Sequence, residues 1–178
     1  GARFWNAVIA SGQPASEFTQ HLSTIAFCLS KGLGAPFGGI LGGSREKIDR
    51  AISYRQMLGG GMRQAGVMAA AGIVALQSGI SRLAEDHANA QTLARGLAEM
   101  FPGSVDPAAI ETNLVHIHVP ALGVNGQQLE THLSSYGIRI FPNDERMRLT
   151  THCDVSAAGI DRVLDAFSRL PKASRRAA

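Results

Sequence analysis

Cysteine and aromatic residues are scarce in this sequence. Its 178 residues include two cysteines, Cys28 and Cys153, and 6% are aromatic. Two cysteines far apart in the chain fit neither a disulfide-rich secreted scaffold nor a zinc site with paired ligand spacing. Each lies in an apolar stretch, so we expect both thiols to be reduced and packed, in a cytoplasmic protein without a bound metal.

The sequence also lacks a long apolar run and a recognisable leader. No stretch approaches the ~20 apolar residues that cross a bilayer, so we expect no membrane span. The first ten residues contain no basic segment followed by an apolar stretch and a cleavage site, which argues against a signal peptide. The chain opens without methionine on what resembles the end of a strand, so we expect a segment of a longer protein.

Basic residues do not outnumber acidic residues over positions 1–171. The 17 basic residues exceed the 14 acidic ones by three, and three basic residues lie in the last seven positions, at Lys172, Arg175 and Arg176. Nucleic-acid binding needs basic residues clustered on a folded face. We therefore expect no nucleic-acid partner and a basic tail over residues 172–178.

The pattern of apolar residues predicts an α/β arrangement in the first half of the chain. Short strands are predicted at 21–29 and 37–44, and a helix from Arg45 to Met57. A second helix, from Met62 to about Ser81, is apolar on nearly all faces, which is typical of a protein interior or an oligomer interface. An amphipathic helix follows from Glu85 to Met100.

The pattern of apolar residues in the second half predicts a small α+β module. A strand is predicted at 112–120, a helix at 125–137, two strands around a turn at 138–154, and a final amphipathic helix at 155–170. We therefore predict these segments: 1–95 as part of an α/β layer, 96–171 as a small α+β domain, and 172–178 as a basic tail.

The segment with most chemical content is SKGLGAP at 30–36, which follows a predicted apolar strand. Ligands of open α/β sheets bind at the carboxyl ends of strands, so Lys31 lies where a reactive group is expected. A lysine amine can condense with an aldehyde. Gly32 and Gly34 would let the backbone pass close to a flat cofactor. Spacing alone also fits an ordinary surface lysine in a glycine turn.

Four other segments accompany this one in a fixed order. They are GARFWNA at the start, LGGGMRQAG at 58–66, EDHANAQTLARGL at 85–97 and RMRLTTHCDV at 146–155. Together the series resembles the low-specificity L-threonine aldolase family, fold-type-I enzymes that use pyridoxal 5'-phosphate (PLP). The resemblance covers residues 1–170. It implies part of a PLP-binding large domain followed by a small C-terminal α+β domain.

The resemblance implies roles for individual residues. Lys31 matches the lysine that binds PLP covalently, and Ser30 beside it either contacts the phosphate or satisfies the turn. Arg3 matches an arginine near the phenolic oxygen of PLP and the substrate carboxylate. Arg148 matches the arginine that binds the substrate carboxylate, and Arg63 matches an arginine that reaches a phosphate in the neighbouring subunit. A guanidinium group suits both of these anions.

The sequence departs from the family pattern in two ways. Gln56 stands where the family usually has lysine, which removes one positive charge near the shared phosphate region. The aspartate that pairs with the PLP ring nitrogen, the histidine that stacks on the ring and the loop that holds the phosphate precede the matched region in the family. The general base of the reaction is therefore expected upstream of this chain.

The resemblance implies retro-aldol cleavage of L-threonine or L-allo-threonine to glycine and an aldehyde. The implied partners are a small amino-acid substrate and further copies of the chain, in a homodimer or homotetramer, with no nucleic acid and no membrane. Two alternatives stay open. One is a PLP-dependent lyase that eliminates a group from the β-carbon, and the other is a truncated subunit or interaction fragment without activity.

Several residues have ordinary structural interpretations beside functional ones. His87 fits a helix surface or cap, and His152 fits a structural role or support for Arg148. His116 and His118 share one face of a predicted strand but lack a third ligand for a metal. Three methionines are predicted to pack in the core or at an interface: Met57, Met62 and Met68.

Overall fold

The computed structural model describes residues 1–171, in which the chain forms two compact units. The first is Gly1–Ala84, and the second begins at Glu85. The predicted basic tail at 172–178 lies outside the described residues. The assignment of 1–95 and 96–171 to the large and small domains of a longer enzyme stays a prediction.

The first unit combines helices with a two-stranded antiparallel sheet. Residues Thr24 to Cys28 of the first strand lie opposite Gly43 to Gly39 of the second. The elements are α1 (Phe4–Ser11), α2 (Ala15–Thr19), β1 (Thr24–Cys28), β2 (Gly39–Gly43), α3 (Arg45–Met57), α4 (Gly66–Val74) and the start of α5 (Ile80–Met100). Both predicted strands and the helix from Arg45 to Met57 are confirmed, although β1 is only half-buried.

The prediction that the chain opens on the end of a strand is wrong. Phe4 begins helix α1, which ends where Gly12 adopts a φ of +66°. The rings of Phe4 and Trp5 lie 5.7 and 5.6 Å from the ring of Phe27 in β1. This packing of aromatic side chains across elements outweighs the local β-preference of the segment.

The two helices predicted at 62–81 and 85–100 form one helical stretch, Gly66–Met100. A π-helical turn at Ala75–Gly79 joins α4 to α5. By length and composition alone the stretch could cross a membrane, which the sequence analysis did not anticipate. Those two properties do not separate a membrane span from a helix packed in a protein core.

The second unit surrounds an antiparallel pair of strands with helices. Its elements are the remainder of α5, β3 (Leu114–His118), α6 (Gly126–Ser134), β4 (Arg146–Thr150) and α7 (Ala157–Ser168). One face of the β3–β4 pair is buried, and the core contains Leu97, Val115, Ile117, Leu129, Leu133, Met147, Ile160 and Phe167, each at most 2% exposed. The predicted strand near 112–120 and the final amphipathic helix are confirmed.

Side-chain caps fix the helix ends in this unit. Asn125 and Gln128 form a capping box at the start of α6, and the Ser156 hydroxyl accepts from the backbone of Gly159 at the start of α7. Gly137, where the helix predicted at 125–137 was expected to end, has a φ of +73°. These contacts satisfy backbone N–H groups that a helix leaves unpaired.

Only one of the two strands predicted at 138–154 forms within the described chain. The second is β4, whereas residues 138–141 form no ladder, and Phe141 is 94% exposed. The Asn143 side chain accepts hydrogen bonds from the backbone of Glu145 and Arg146, both at 2.9 Å. The turn is therefore organised by asparagine, not by pairing of the strands on either side of it.

Many apolar side chains of the first unit are exposed. Met57 is 74% exposed, Met62 54% and Met68 36%, so these methionines are not part of the core of this chain. Their assignment to the core is wrong, and their assignment to an interface stays a prediction. Helix α3 has no buried residue at all.

Candidate functional site

Lys31 lies in a tight turn that follows β1. The backbone N–H of Gly34 donates to the Lys31 carbonyl at 2.8 Å, and Gly34 has a φ of +75°. Around it, the Leu29 N–H donates to the Gly38 carbonyl at 2.9 Å, and the Ala35 N–H donates to the Leu29 carbonyl at 3.0 Å. The backbone of the turn is thus fixed by hydrogen bonds on both sides.

Glycines of the long apolar helix allow it to approach this turn closely. A Cβ atom at Gly79 would lie 2.9 Å from the Leu33 carbonyl oxygen, and one at Gly72 would lie 2.9 Å from Leu29 Cδ1. Leu29 and Leu33 are buried, in a cluster with Ala75 and Leu83. The helix therefore positions the lysine turn, and its π-helical segment is the part in contact with Leu33.

The Lys31 side chain itself is exposed. Within residues 1–171, no group forms a hydrogen bond or an ion pair with its amine. Of the other two lysines in the sequence, Lys47 lies in the first turn of α3, and Lys172 lies outside the described residues. Lys31 is thus an exposed residue on a turn whose backbone is fixed by hydrogen bonds.

Gly32 allows close packing on the interior side of the turn. A Cβ atom there would lie 3.1 Å from Leu83 Cδ2 and 3.8 Å from Asn6 Nδ2, so the missing side chain faces the packed interior. Asn6 is 4% exposed and is a polar group that the sequence analysis missed beside the lysine turn. Its signal was a polar residue within the apolar pattern FWNAVI.

Arg3 lies just before helix α1, and Ser30 lies just after strand β1, on which α1 packs. Ser30 is the exposed neighbour of Lys31. The rings of Phe4 and Trp5 in α1 pack against Phe27, which holds the start of α1 against β1. Both predicted side chains thus belong to the same compact unit as Lys31.

Arg63 is exposed in the loop between α3 and α4. The loop turns back on α3, because the Gly60 N–H donates to the Arg55 carbonyl at 2.7 Å. Gln64, directly after Arg63, has a φ of +54°, which is uncommon for a residue other than glycine. The predicted contact of Arg63 with a neighbouring subunit stays a prediction.

Arg148 lies in the second unit, at the centre of β4 and opposite His116 of β3. His118 lies opposite Arg146 in the same ladder. Directly opposed and alternate residues of an antiparallel pair share a face. One face of the sheet therefore carries two arginines and two histidines, and the other carries buried Met147. Arg148 is exposed and suited to hold a carboxylate.

An open groove of about 460 Å³ lies beside part of this face and was not anticipated. Its lining includes His116, His118, Arg146, Glu145 and Asp106, but Arg148 does not line it. No sequence pattern predicts this groove, because Asp106 and Glu145 are distant in the chain and are brought to it only by folding.

The two cysteines were expected to be reduced and packed, and they differ in exposure. Both Cys28 and Cys153 are free thiols. Cys28 in β1 is half-buried, but Cys153 is exposed, so the prediction that both are packed is wrong for Cys153. The residue lies in a turn between β4 and α7 and not in an apolar strand.

Comparison with solved structures defines the class of fold. A Listeria monocytogenes protein provisionally assigned as an L-allo-threonine aldolase matches with a TM-score of 0.77 at 16% identity, over 96% of this chain and 51% of that one. An Exiguobacterium structure described as an aromatic amino acid beta-eliminating lyase/threonine aldolase matches with a TM-score of 0.70 at 19% identity, over 93% of this chain and 51% of that one. The predicted α/β fold class is confirmed.

The family follows from the sequence itself. The model of the beta-eliminating lyase family matches residues 1–120, and the chain belongs to that family. The low specificity L-threonine aldolase of Escherichia coli K12 is 43% identical over 156 residues, which are 88% of this chain and 45% of that protein. The low-specificity L-threonine aldolase 1 of Arabidopsis thaliana is 37% identical over 171 residues, 95% of this chain and 48% of that protein. The chain spans about half the length of the curated relatives it matches.

Proposed function

We propose that this chain is part of a PLP-dependent aldehyde-lyase that cleaves L-threonine or L-allo-threonine to glycine and acetaldehyde. The observation that carries the proposal is the Lys31 turn, where an unpaired amine projects from a backbone fixed by hydrogen bonds and glycine contacts. The similarity to threonine aldolases supports the substrate class. A cytoplasmic location and a homodimer or homotetramer belong to the same proposal.

The side chains present fit PLP by their chemistry. Lys31 offers an amine to the aldehyde of the cofactor, and Ser30 and Arg63 offer a hydroxyl and a guanidinium to its phosphate. Arg3 offers a second guanidinium to the phenolic oxygen or the substrate carboxylate. When bound, PLP accepts the electrons of the bond that breaks.

The protein contributes binding and orientation to this chemistry. The Lys31 amine would hold the cofactor until the amino group of the substrate replaces it. Arg148 would bind the substrate carboxylate through two parallel hydrogen bonds, which restricts rotation about the Cα atom. Orientation of this kind decides which bond to Cα lies in position to break, and so separates cleavage from elimination.

The experiment uses the complete enzyme that contains this chain, loaded with PLP and supplied with L-threonine. We expect glycine and acetaldehyde as products, and we expect Lys31→Ala to lose both the product and the absorbance of bound PLP. Lys47→Ala is the matched control, because Lys47 is an exposed lysine in α3, and it should retain both. Unchanged absorbance and activity in Lys31→Ala would contradict the proposal.

The family description favours a second candidate, elimination at the β-carbon. That reaction on a β-substituted amino acid releases pyruvate instead of glycine. Quantifying both products from one reaction separates the two candidates, and pyruvate without glycine would replace the first with the second.

A third candidate concerns the 178-residue chain on its own. Its exposed methionines and half-length match support an interaction fragment without activity. Titrating PLP into this chain alone tests the candidate. Absence of binding supports a fragment, whereas saturable binding abolished by Lys31→Ala contradicts it.

A further inference from the structure

The turn between β4 and α7 is anchored firmly at its first end. Thr151 is 2% exposed, and its hydroxyl donates to the Asp86 carbonyl at 2.6 Å. Its backbone N–H donates to the Asn113 carbonyl at 3.1 Å, and the Asn113 amide donates to the Thr151 carbonyl at 2.8 Å. The three residues that follow, 152–154, therefore leave the core from a fixed point.

The second end of the turn is also held. The Val155 N–H donates to the His152 carbonyl at 2.8 Å, and the Asn89 amide donates to the Val155 carbonyl at 3.0 Å. Helix α7 then begins with the Ser156 cap. The turn thus presents its side chains from a backbone that is fixed before any ligand binds.

Three side chains of different chemistry converge on this turn. One imidazole nitrogen of His152, the thiol sulfur of Cys153 and a carboxylate oxygen of Asp154 all lie within 4.8 Å of one another. The His152 Nδ1 to Asp154 Oδ2 distance is 3.4 Å. All three side chains are exposed, so an ion can reach them from solvent.

These distances match the requirements of a zinc ion. Tetrahedral bonds of about 2.3 Å to sulfur and about 2.0–2.1 Å to nitrogen and oxygen place ligand atoms roughly 3.3–3.6 Å apart. The imidazole and carboxylate are already at that separation, and the thiol sulfur lies within 4.8 Å of both. Ca²⁺ and Mg²⁺ prefer oxygen ligands, so a site with nitrogen and sulfur favours Zn²⁺.

We propose that His152, Cys153 and Asp154 bind Zn²⁺ with three protein ligands and one solvent ligand. The pattern escaped the sequence analysis because the donors are consecutive, without the paired spacing of familiar zinc motifs. Binding requires the thiolate and a free Nδ1 lone pair. It therefore displaces the thiol proton and the long hydrogen bond, 3.4 Å, from the Asp154 N–H to His152 Nδ1.

The test is a zinc titration of the untagged 178-residue chain after treatment with a chelator, in competition with a chromogenic chelator. We expect one equivalent of Zn²⁺ to bind. Cys153→Ser, His152→Gln and Asp154→Asn should each weaken binding by at least about tenfold, because loss of a direct ligand costs no less than loss of a supporting group. Cys28→Ser is the matched control, since Cys28 is the other free thiol, and it should bind as the unmodified chain does.

A second readout detects the bond between the thiolate and the metal directly. Co²⁺ in place of Zn²⁺ should give an absorption band from charge transfer between thiolate and metal, and Cys153→Ser should abolish it while Cys28→Ser retains it. Failure of the unmodified chain to give this band would overturn the proposal. Unchanged zinc affinity in Cys153→Ser, or loss of binding in Cys28→Ser, would also overturn it.

Discussion

Replacing Gly126 with alanine should destabilise the second unit. Gly126 is the first residue of α6, and a Cβ atom there would lie 2.6 Å from the Asn143 backbone nitrogen and 2.7 Å from its carbonyl carbon and oxygen. Because the obstacle is backbone, a side-chain rotation cannot relieve the contact. The added methyl group must push the turn at 143–144 away from the helix.

The change in the free energy of unfolding caused by Gly126→Ala is the sum of opposing contributions. Overpacking costs about 1–3 kcal/mol. Displacement of the turn also weakens the hydrogen bond from the Gly126 N–H to Asp144 Oδ1, which is 2.8 Å long, and bonds to charged groups contribute about 1.5–3 kcal/mol. Alanine returns at most about 1 kcal/mol in helix propensity. We expect a net loss of about 2 kcal/mol in the free energy of unfolding.

The matched control is Gly159→Ala in the first turn of α7. A Cβ atom there would meet Ser156 Oγ at 3.6 Å and Val155 Cγ1 at 3.9 Å, which are ordinary contacts. This variant should gain up to about 1 kcal/mol. Urea unfolding followed by circular dichroism measures both variants in the same unit. If Gly126→Ala proved as stable as the unmodified chain, the packing of the turn against α6 would be refuted.

Three further predictions concern Arg148, Thr151 and Asn125. Arg148→Lys should raise the KM for L-threonine in the complete enzyme by roughly 10- to 150-fold, because one charge-assisted hydrogen bond of about 1.5–3 kcal/mol is lost. Steady-state kinetics measure this change. An equal effect of Arg146→Lys would contradict the assignment of carboxylate binding to Arg148. Thr151→Val should cost about 1–3 kcal/mol in urea unfolding, because the Asp86 carbonyl loses its buried donor; an unchanged free energy of unfolding would contradict a stabilising role for this hydrogen bond. Asn125→Ala should cost about 1 kcal/mol through loss of the capping box, and Gln127→Ala, an exposed position in the same helical turn, should cost less.

Local patterns predicted the elements whose signals lie within a short stretch of sequence. The periodicity of residues 45–57 and 157–168 and the alternation at 114–118 each corresponded to an observed helix or strand. Gly137, the last residue of the helix predicted at 125–137, lies shortly after the end of α6 and has a positive φ, which glycine adopts readily.

The errors arose where distant residues decide the local conformation. Helix α1 forms because its aromatic rings pack against Phe27, more than twenty residues away in the chain. The expected break at 82–84 is absent, since α5 runs from Ile80 to Met100. The sequence also did not predict the π-helical turn at Ala75–Gly79, which places Gly79 against the Leu33 carbonyl. Neither contact leaves a periodic trace in the sequence.

The candidate site divides in the same way. The local sequence SKGLGAP after an apolar strand predicted Lys31 as a site residue. The roles of the arginines were predicted from the resemblance to a family. The buried Asn6 beside Gly32 and the convergence of His152, Cys153 and Asp154 depend on folding, so sequence patterns did not reveal them.

The central claim is that the Lys31 amine binds PLP covalently. The most direct measurement is reduction of the PLP-loaded complete enzyme with borohydride, followed by mass spectrometry of its peptides. The account predicts a phosphopyridoxyl group on the peptide that contains Lys31, and none on the peptide that contains Lys47. A modification at Lys47 or Lys172 with Lys31 unmodified would contradict it.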